Sequence, residues 1–135
     1  MIQDCFDLLL EANSEAPFVS VIDEEYVKSF ISTEDVIKNV WYRDNKPVAL
    51  YLATASNDWC EPVYKLFELV TYIIPEYRNK EIAKSVALYA ENTAKELGVQ
   101  EVIAGVTLDI NKEQANKFYE SRGFSAFGKT YKKRF

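Results

Sequence analysis

Between residues 63 and 108 the chain switches twice between two kinds of apolar pattern, and nothing else in it narrows the possible folds as much. Val63-Ile74 is rich in β-branched and aromatic residues and stops at Pro75, which cannot donate to a strand ladder. Ile82, Ala83, Val86, Ala87, Ala90, Ala94 and Leu97 then recur as one helical apolar stripe, ended by Gly98. Val102-Leu108 is nearly all apolar, the pattern expected of a central strand buried on both faces.

The flanks extend this order. Ile2, Phe6, Leu9 and Leu10 predict a first helix ending near Asn13, and Asp23 reads as the N-cap of a second carrying Val27, Phe30 and Ile31. Val36-Tyr42 and Pro47-Thr54 are strand-like and flank Arg43-Asp44-Asn45-Lys46, read as a hairpin turn. Asn111 with Gln114 makes a capping pair for a helix bearing Ala115, Phe118 and Tyr119, stopped at Gly123. A last strand is expected from about Phe124 to the end. The order helix, helix, three strands, helix, strand, helix, strand predicts an α/β layer with helices packed on a sheet.

At 135 residues, with 48% hydrophobic and 27% charged, residues 1–135 are expected to form one globular domain. No apolar run nears the ~20 residues that span a bilayer, so no membrane association is expected. The first residues carry acids where a secretory signal carries Lys or Arg, which predicts a cytoplasmic protein. Cys5 and Cys60 lie far apart and read as ordinary reduced thiols.

The sequence contains no histidine. Ser-His-Asp and Cys-His nucleophile activation and His-based zinc sites are thereby excluded, and no metal is expected. Chemistry that relies on positioning rather than on a strong base is favoured. The net charge is −5, with nine acids and only Lys28 as a base in the first 35 residues. That balance argues against a nucleic-acid partner. It suits either attraction of a cationic substrate or plain solvated helix surface.

The stretch Glu68-Leu-Val-Thr-Tyr-Ile-Ile-Pro-Glu-Tyr-Arg-Asn-Lys-Glu-Ile-Ala83 reads as a strand, a tight turn and a helix N-terminus. Such a terminus offers unpaired N–H groups and partial positive charge to a phosphate. Arg78 and Lys80 add full charges there. Together with Ala115-Asn-Lys-Phe-Tyr-Glu-Ser-Arg-Gly-Phe124, it resembles the GNAT superfamily of acyl-CoA-dependent N-acetyltransferases, most closely short stand-alone members of bacteria and phages. The strand-to-helix motif V-x-P-x-x-R-x-x-G-x-G/A aligns on Ile73, Pro75, Arg78, Glu81 and Ala83. The motif A-x-x-F/L-Y-x-x-x-G-F is met in full by Ala115, Phe118, Tyr119, Gly123 and Phe124.

The resemblance implies a GNAT fold, with a mixed, mostly antiparallel central sheet flanked by helices. It implies acetyl-CoA as acyl donor and transfer to a primary amine of a small molecule or protein, by direct attack in a ternary complex. Ile73 would offer backbone N–H to the thioester oxygen, and Arg78, Asn79, Lys80, Glu81, Ile82, Ala83 and Lys84 would hold the pyrophosphate. Tyr119 would protonate the departing thiolate and Glu68 would deprotonate the incoming ammonium. In each case a plain packing or surface role is the alternative, with Lys65 as the neighbour that would pair Glu68.

Two positions depart from the family pattern. Glu81 replaces the first glycine of the phosphate loop, so its carboxylate must point outward if a pyrophosphate is to lie there. Lys112 stands where many relatives carry asparagine, leaving Asn111, one residue early, as the candidate cofactor contact. A domain that binds CoA or a protein partner without turnover is the competing reading, and an interaction module with no cofactor is a third. Both a monomer and a homodimer fit the sequence.

Overall fold

The computed structural model describes residues 1–78, 80–104 and 112–127, together with 131, 133 and 135, and the side chains of all of these except Lys80 and Lys112. Helices α1 (Ile2–Glu15) and α2 (Glu24–Ile31) come first, as their apolar spacing predicts. Asp23 caps α2 by accepting from the Tyr26 N–H at 2.9 Å. Strands β1 (Val36–Arg43) and β2 (Lys46–Asn57) form the hairpin. Its loop is shorter than the four residues read from sequence. Only Asp44 and Asn45 turn, at φ of 51° and 63°, because two short polar residues with positive φ close the right-handed twist of the strands.

Strand β3 (Tyr64–Ile73), a 3-10 turn (Pro75–Tyr77), α3 (Lys80–Leu97), β4 (Glu101–Ala104) and α4 (Lys112–Ser121) follow. The sheet order is β1-β2-β3-β4, with β3 and β4 parallel across α3 and the other pairs antiparallel. In the register of β2 with β3, Leu52 faces Val70 and Ala53 faces Glu68, so Leu69 is an extra residue, a β-bulge. The ladder of β3 with β4 ends at Glu68 and Ala104. Past the bulge, β3 has no partner on that side among the described residues.

Among the described residues the strand buried on both faces is β2; of the run expected after Gly98, residues 105–108 lie outside the described residues. Val48, Ala49, Leu50, Tyr51 and Ala53 are wholly buried. Tyr51 meets α3 through the Tyr89 ring at 5.6 Å. The opposite face carries Tyr72, whose hydroxyl reaches Glu15 at the end of α1 at 2.9 Å. β4 is half-buried and ends the sheet order among the described residues. The expected last strand is also corrected where it can be seen. Gly123, at φ +87°, ends α4, and the Phe124 N–H turns back to the Tyr119 carbonyl at 3.1 Å, so 124–127 continue as irregular chain. Among the described residues no helix is long and apolar enough to cross a membrane.

Candidate active site

A carboxylate inside an otherwise apolar strand has to find a cation or remain costly to bury. Glu68 finds one at the C-terminal end of α4. Arg122 grips it with both ends of its fork, Nη1 to Oε1 at 3.2 Å and Nη2 to Oε2 at 2.9 Å, and the two side chains are 5% and 1% exposed. The Tyr51 hydroxyl donates to the same carboxylate at 2.8 Å. Lys65, the neighbour considered from sequence, is not the partner. It points to the other face of β3, where it pairs with Asp58, Glu61 and Glu101. Alternation along a strand separates positions 65 and 68 onto opposite faces.

Tyr119 lies against this pair. The Arg122 guanidinium centre is 5.6 Å from the Tyr119 ring, 5.4 Å from Phe118 and 4.8 Å from Phe124. Burial, and then the Glu68 charge, push the Tyr119 phenol above its ordinary value of 10.0. Thr71 is near enough to favour the phenolate slightly, yet its buried Oγ1 makes no hydrogen bond of full geometry among the described residues. The Arg122 Nε is likewise buried and unpaired among them. Two buried polar atoms beside Glu68 and Tyr119 are therefore without a partner among the described residues.

The far end of β3 is tied down differently. Ile74 donates its N–H to the Val48 carbonyl at 2.9 Å, so strand alternation turns the N–H groups of Ile73 and Thr71 to the opposite edge, where no partner lies among the described residues. Arg78 holds that end closed: its Nε donates to the Ile73 carbonyl at 2.7 Å and its other nitrogens meet Glu15 at 2.7 Å. Arg78 foremost, helped by the Tyr72 hydroxyl, keeps the Glu15 carboxyl below its ordinary value of 4.5. A carboxyl whose pKa is lowered by folding adds stability above its unfolded value and loses it as pH falls through the folded one. Wild type is expected to outlast Glu15→Gln in thermal melts at neutral pH, with the difference in Tm shrinking once the pH falls below 4.5 and vanishing only through the lower folded value.

The 18-residue helix α3 begins directly after this turn, with its first N–H groups free of intrahelical partners. Glu81 is exposed and leans to Arg43 of β1 at 3.4 Å, on the side of the sheet away from β4. The profile of the acetyltransferase (GNAT) family matches residues 3–124. The chain belongs to the GNAT family.

Solved GNAT structures share its fold. A ribosomal-protein-alanine N-acetyltransferase from Brucella melitensis biovar Abortus superposes with TM-score 0.74 at 16% identity, over 99% of this chain and 93% of that one. An aminoglycoside 6'-N-acetyltransferase from Acinetobacter haemolyticus gives 0.72 at 16% identity, over 99% and 92%. An aminoglycoside N-acetyltransferase in complex with CoA gives 0.72 at 13% identity, over 98% and 92%. No curated protein matches the chain in sequence.

On this GNAT frame the sequence-predicted residues are unevenly distributed. Tyr119 and Glu68 come together, as do Ile73 and Arg78. The backbone of Lys80, Glu81, Ile82 and Ala83 forms the first turn of α3, with Lys84 following. Ile82 sends its side chain into the core and Lys84 is exposed. Asn79, Asn111 and the side chain of Lys80 lie outside the described residues. Arg122, Tyr51, Thr71 and Glu15 were not singled out from sequence. The signal for Arg122 was Glu68 itself, an acid in a buried strand that demanded a cation from elsewhere.

An open cavity of about 980 Å³ lies at the N-terminal ends of β3 and β4, on the side of Glu68 away from α3's first turn. Asp58, Glu61, Glu91 and Glu101 line it with Trp59 and Arg122. Cys60, nearby, is held as a thiol by its hydrogen bond to Asp58, which pushes its pKa up. Among the described residues no three carboxylate or thiol groups gather to hold a metal ion.

Proposed function

We propose that this chain transfers an acetyl group from acetyl-CoA to a primary amine. The observation that carries the reading is the arrival of Tyr119, from the fourth helix, beside Thr71 and Glu68, next to the bulge at Leu69. Acetyl-CoA supplies the activated acetyl thioester. The residues present fit it: the N–H groups of Thr71 and Ile73 on the edge of β3 away from β2, the N-terminal turn of α3 for the pyrophosphate, and Glu81 drawn aside by Arg43.

The protein's own residues then have distinct tasks. Ile73 orients the acyl oxygen through its backbone N–H. Arg78, engaged by Glu15, shapes the turn that leads into α3 rather than standing as a free cation. Tyr119, buried and kept protonated, delivers its hydroxyl proton to the thiolate sulfur. Glu68, closed in by Arg122 and Tyr51, serves as a support for the site, and the ammonium sheds its proton to water. The acceptor approaches through the cavity beside Trp59, whose four acids outnumber Lys65 and Arg122 and suit a cationic amine.

Calorimetric titration with acetyl-CoA, with CoA and buffer as controls, followed by thiol release over an amine panel, tests the reading. Micromolar binding and amine-dependent release are expected. No binding at high micromolar concentration would overturn it. A domain that binds without turnover is the second reading, favoured by Glu81 at the helix start and by Arg78 being held by Glu15. Binding with no release from any amine would select it.

A further inference from the structure

We infer that Arg122 is the positioning residue for Tyr119, acting through its two-pronged grip on Glu68. The inference rests on the reading of Tyr119 as proton donor. Tyr119 sits on a helix whose last turn is anchored to the sheet, among the described ion pairs, by Arg122 alone. Arg122 is one turn further on at i+3, so the same guanidinium that reaches Glu68 also lies 5.6 Å from the Tyr119 ring. Phe118 and Phe124 flank that ring at 5.3 Å each, and Arg122 contacts both. The guanidinium is thus the centre about which three aromatic rings are arranged.

The planar fork explains why arginine stands here. Two parallel N–H···O bonds fix the direction of approach as well as the distance, which a lysine ammonium cannot do. Tyr51 completes the frame from β2, so the carboxylate that Arg122 grips is itself immobile. Around Tyr119, the charged and titratable groups among the described residues are Glu68 of β3, Tyr51 of β2 and Arg122 just after α4. The carboxylate and the guanidinium oppose each other in their effect on the phenol. Arg122 therefore keeps Tyr119 from becoming too weak an acid, and it places the hydroxyl.

Carbon NMR of the full chain labelled at tyrosine Cζ follows this directly. Nine tyrosines are present, and the Tyr119 signal is the one lost in Tyr119→Phe. Its titration is expected above 10.0 in wild type, lower in Glu68→Gln, and higher in Arg122→Met. Arg122→Lys keeps the charge and loses the fork, and it serves where Arg122→Met fails to fold. It is expected to lower kcat about 10- to 100-fold with KM for acetyl-CoA within about twofold, and to have no further effect when added to Tyr119→Phe. A Tyr119 signal unmoved in Glu68→Gln and Arg122→Met, or kcat losses in Arg122→Lys and Tyr119→Phe that simply multiply, would overturn the inference. Should Tyr119→Phe itself leave kcat unchanged, the proton-donor reading fails, and the NMR shifts still decide whether Arg122 places the ring.

Discussion

Arg122→Met is expected to cost the fold about 3–5 kcal/mol, far more than loss of a surface ion pair. The reason is what remains behind. Glu68 is 1% exposed in its side chain and would be left under the sheet with only the Tyr51 hydroxyl to bond. Removing every polar partner together should be much milder, because no charge is then stranded. Tyr51→Phe, Glu68→Leu and Arg122→Met combined is expected to recover most of the loss, within the limits of repacking. Urea denaturation of the single and triple variants measures both. A cost below about 1 kcal/mol for Arg122→Met would mean that water reaches the pair and that it is not a buried anchor.

Tyr119→Phe is expected to lower kcat about 10²- to 10⁴-fold, the range of a general acid, while the affinity for acetyl-CoA stays within about twofold. The ring, its packing on Phe118 and Phe124 and its contact with Arg122 are all retained by phenylalanine. Only the proton is lost. Because burial and Glu68 hold the phenol above 10.0, the acid form persists through the neutral range, and a wild-type rate that depends on it declines only as pH rises past that value. An unchanged kcat in Tyr119→Phe would make Tyr119 a packing residue. Full activity in Arg122→Lys alongside a large loss in Tyr119→Phe would instead separate the two residues' roles.

Pairing across the cluster also explains what could be read in advance. The family and the order of elements were legible because they rest on local patterns: the stripe from Ile82 to Leu97, the turn residues Pro75 and Gly98, and the run Ala115 to Phe124. Asp23 was legible as a cap because its partner, the Tyr26 N–H, is three residues away. Partners remote in sequence were not. Glu68 reaches Arg122 over 54 positions and Glu15 reaches Arg78 over 63, and composition says nothing about either.

By itself, then, the sequence determined the α/β layering, the helix N-terminus after Pro75 and the presence of Tyr119 on a helix face, because hydrophobic period and turn chemistry act within a few residues. The tertiary structure alone decided which cation meets Glu68, and that Arg78 is engaged by Glu15 while Glu81 turns to Arg43. A charged side chain in a strand can satisfy itself with any opposite charge the fold delivers. Bulge, register and helix placement choose that charge, and these are settled only when the whole core packs.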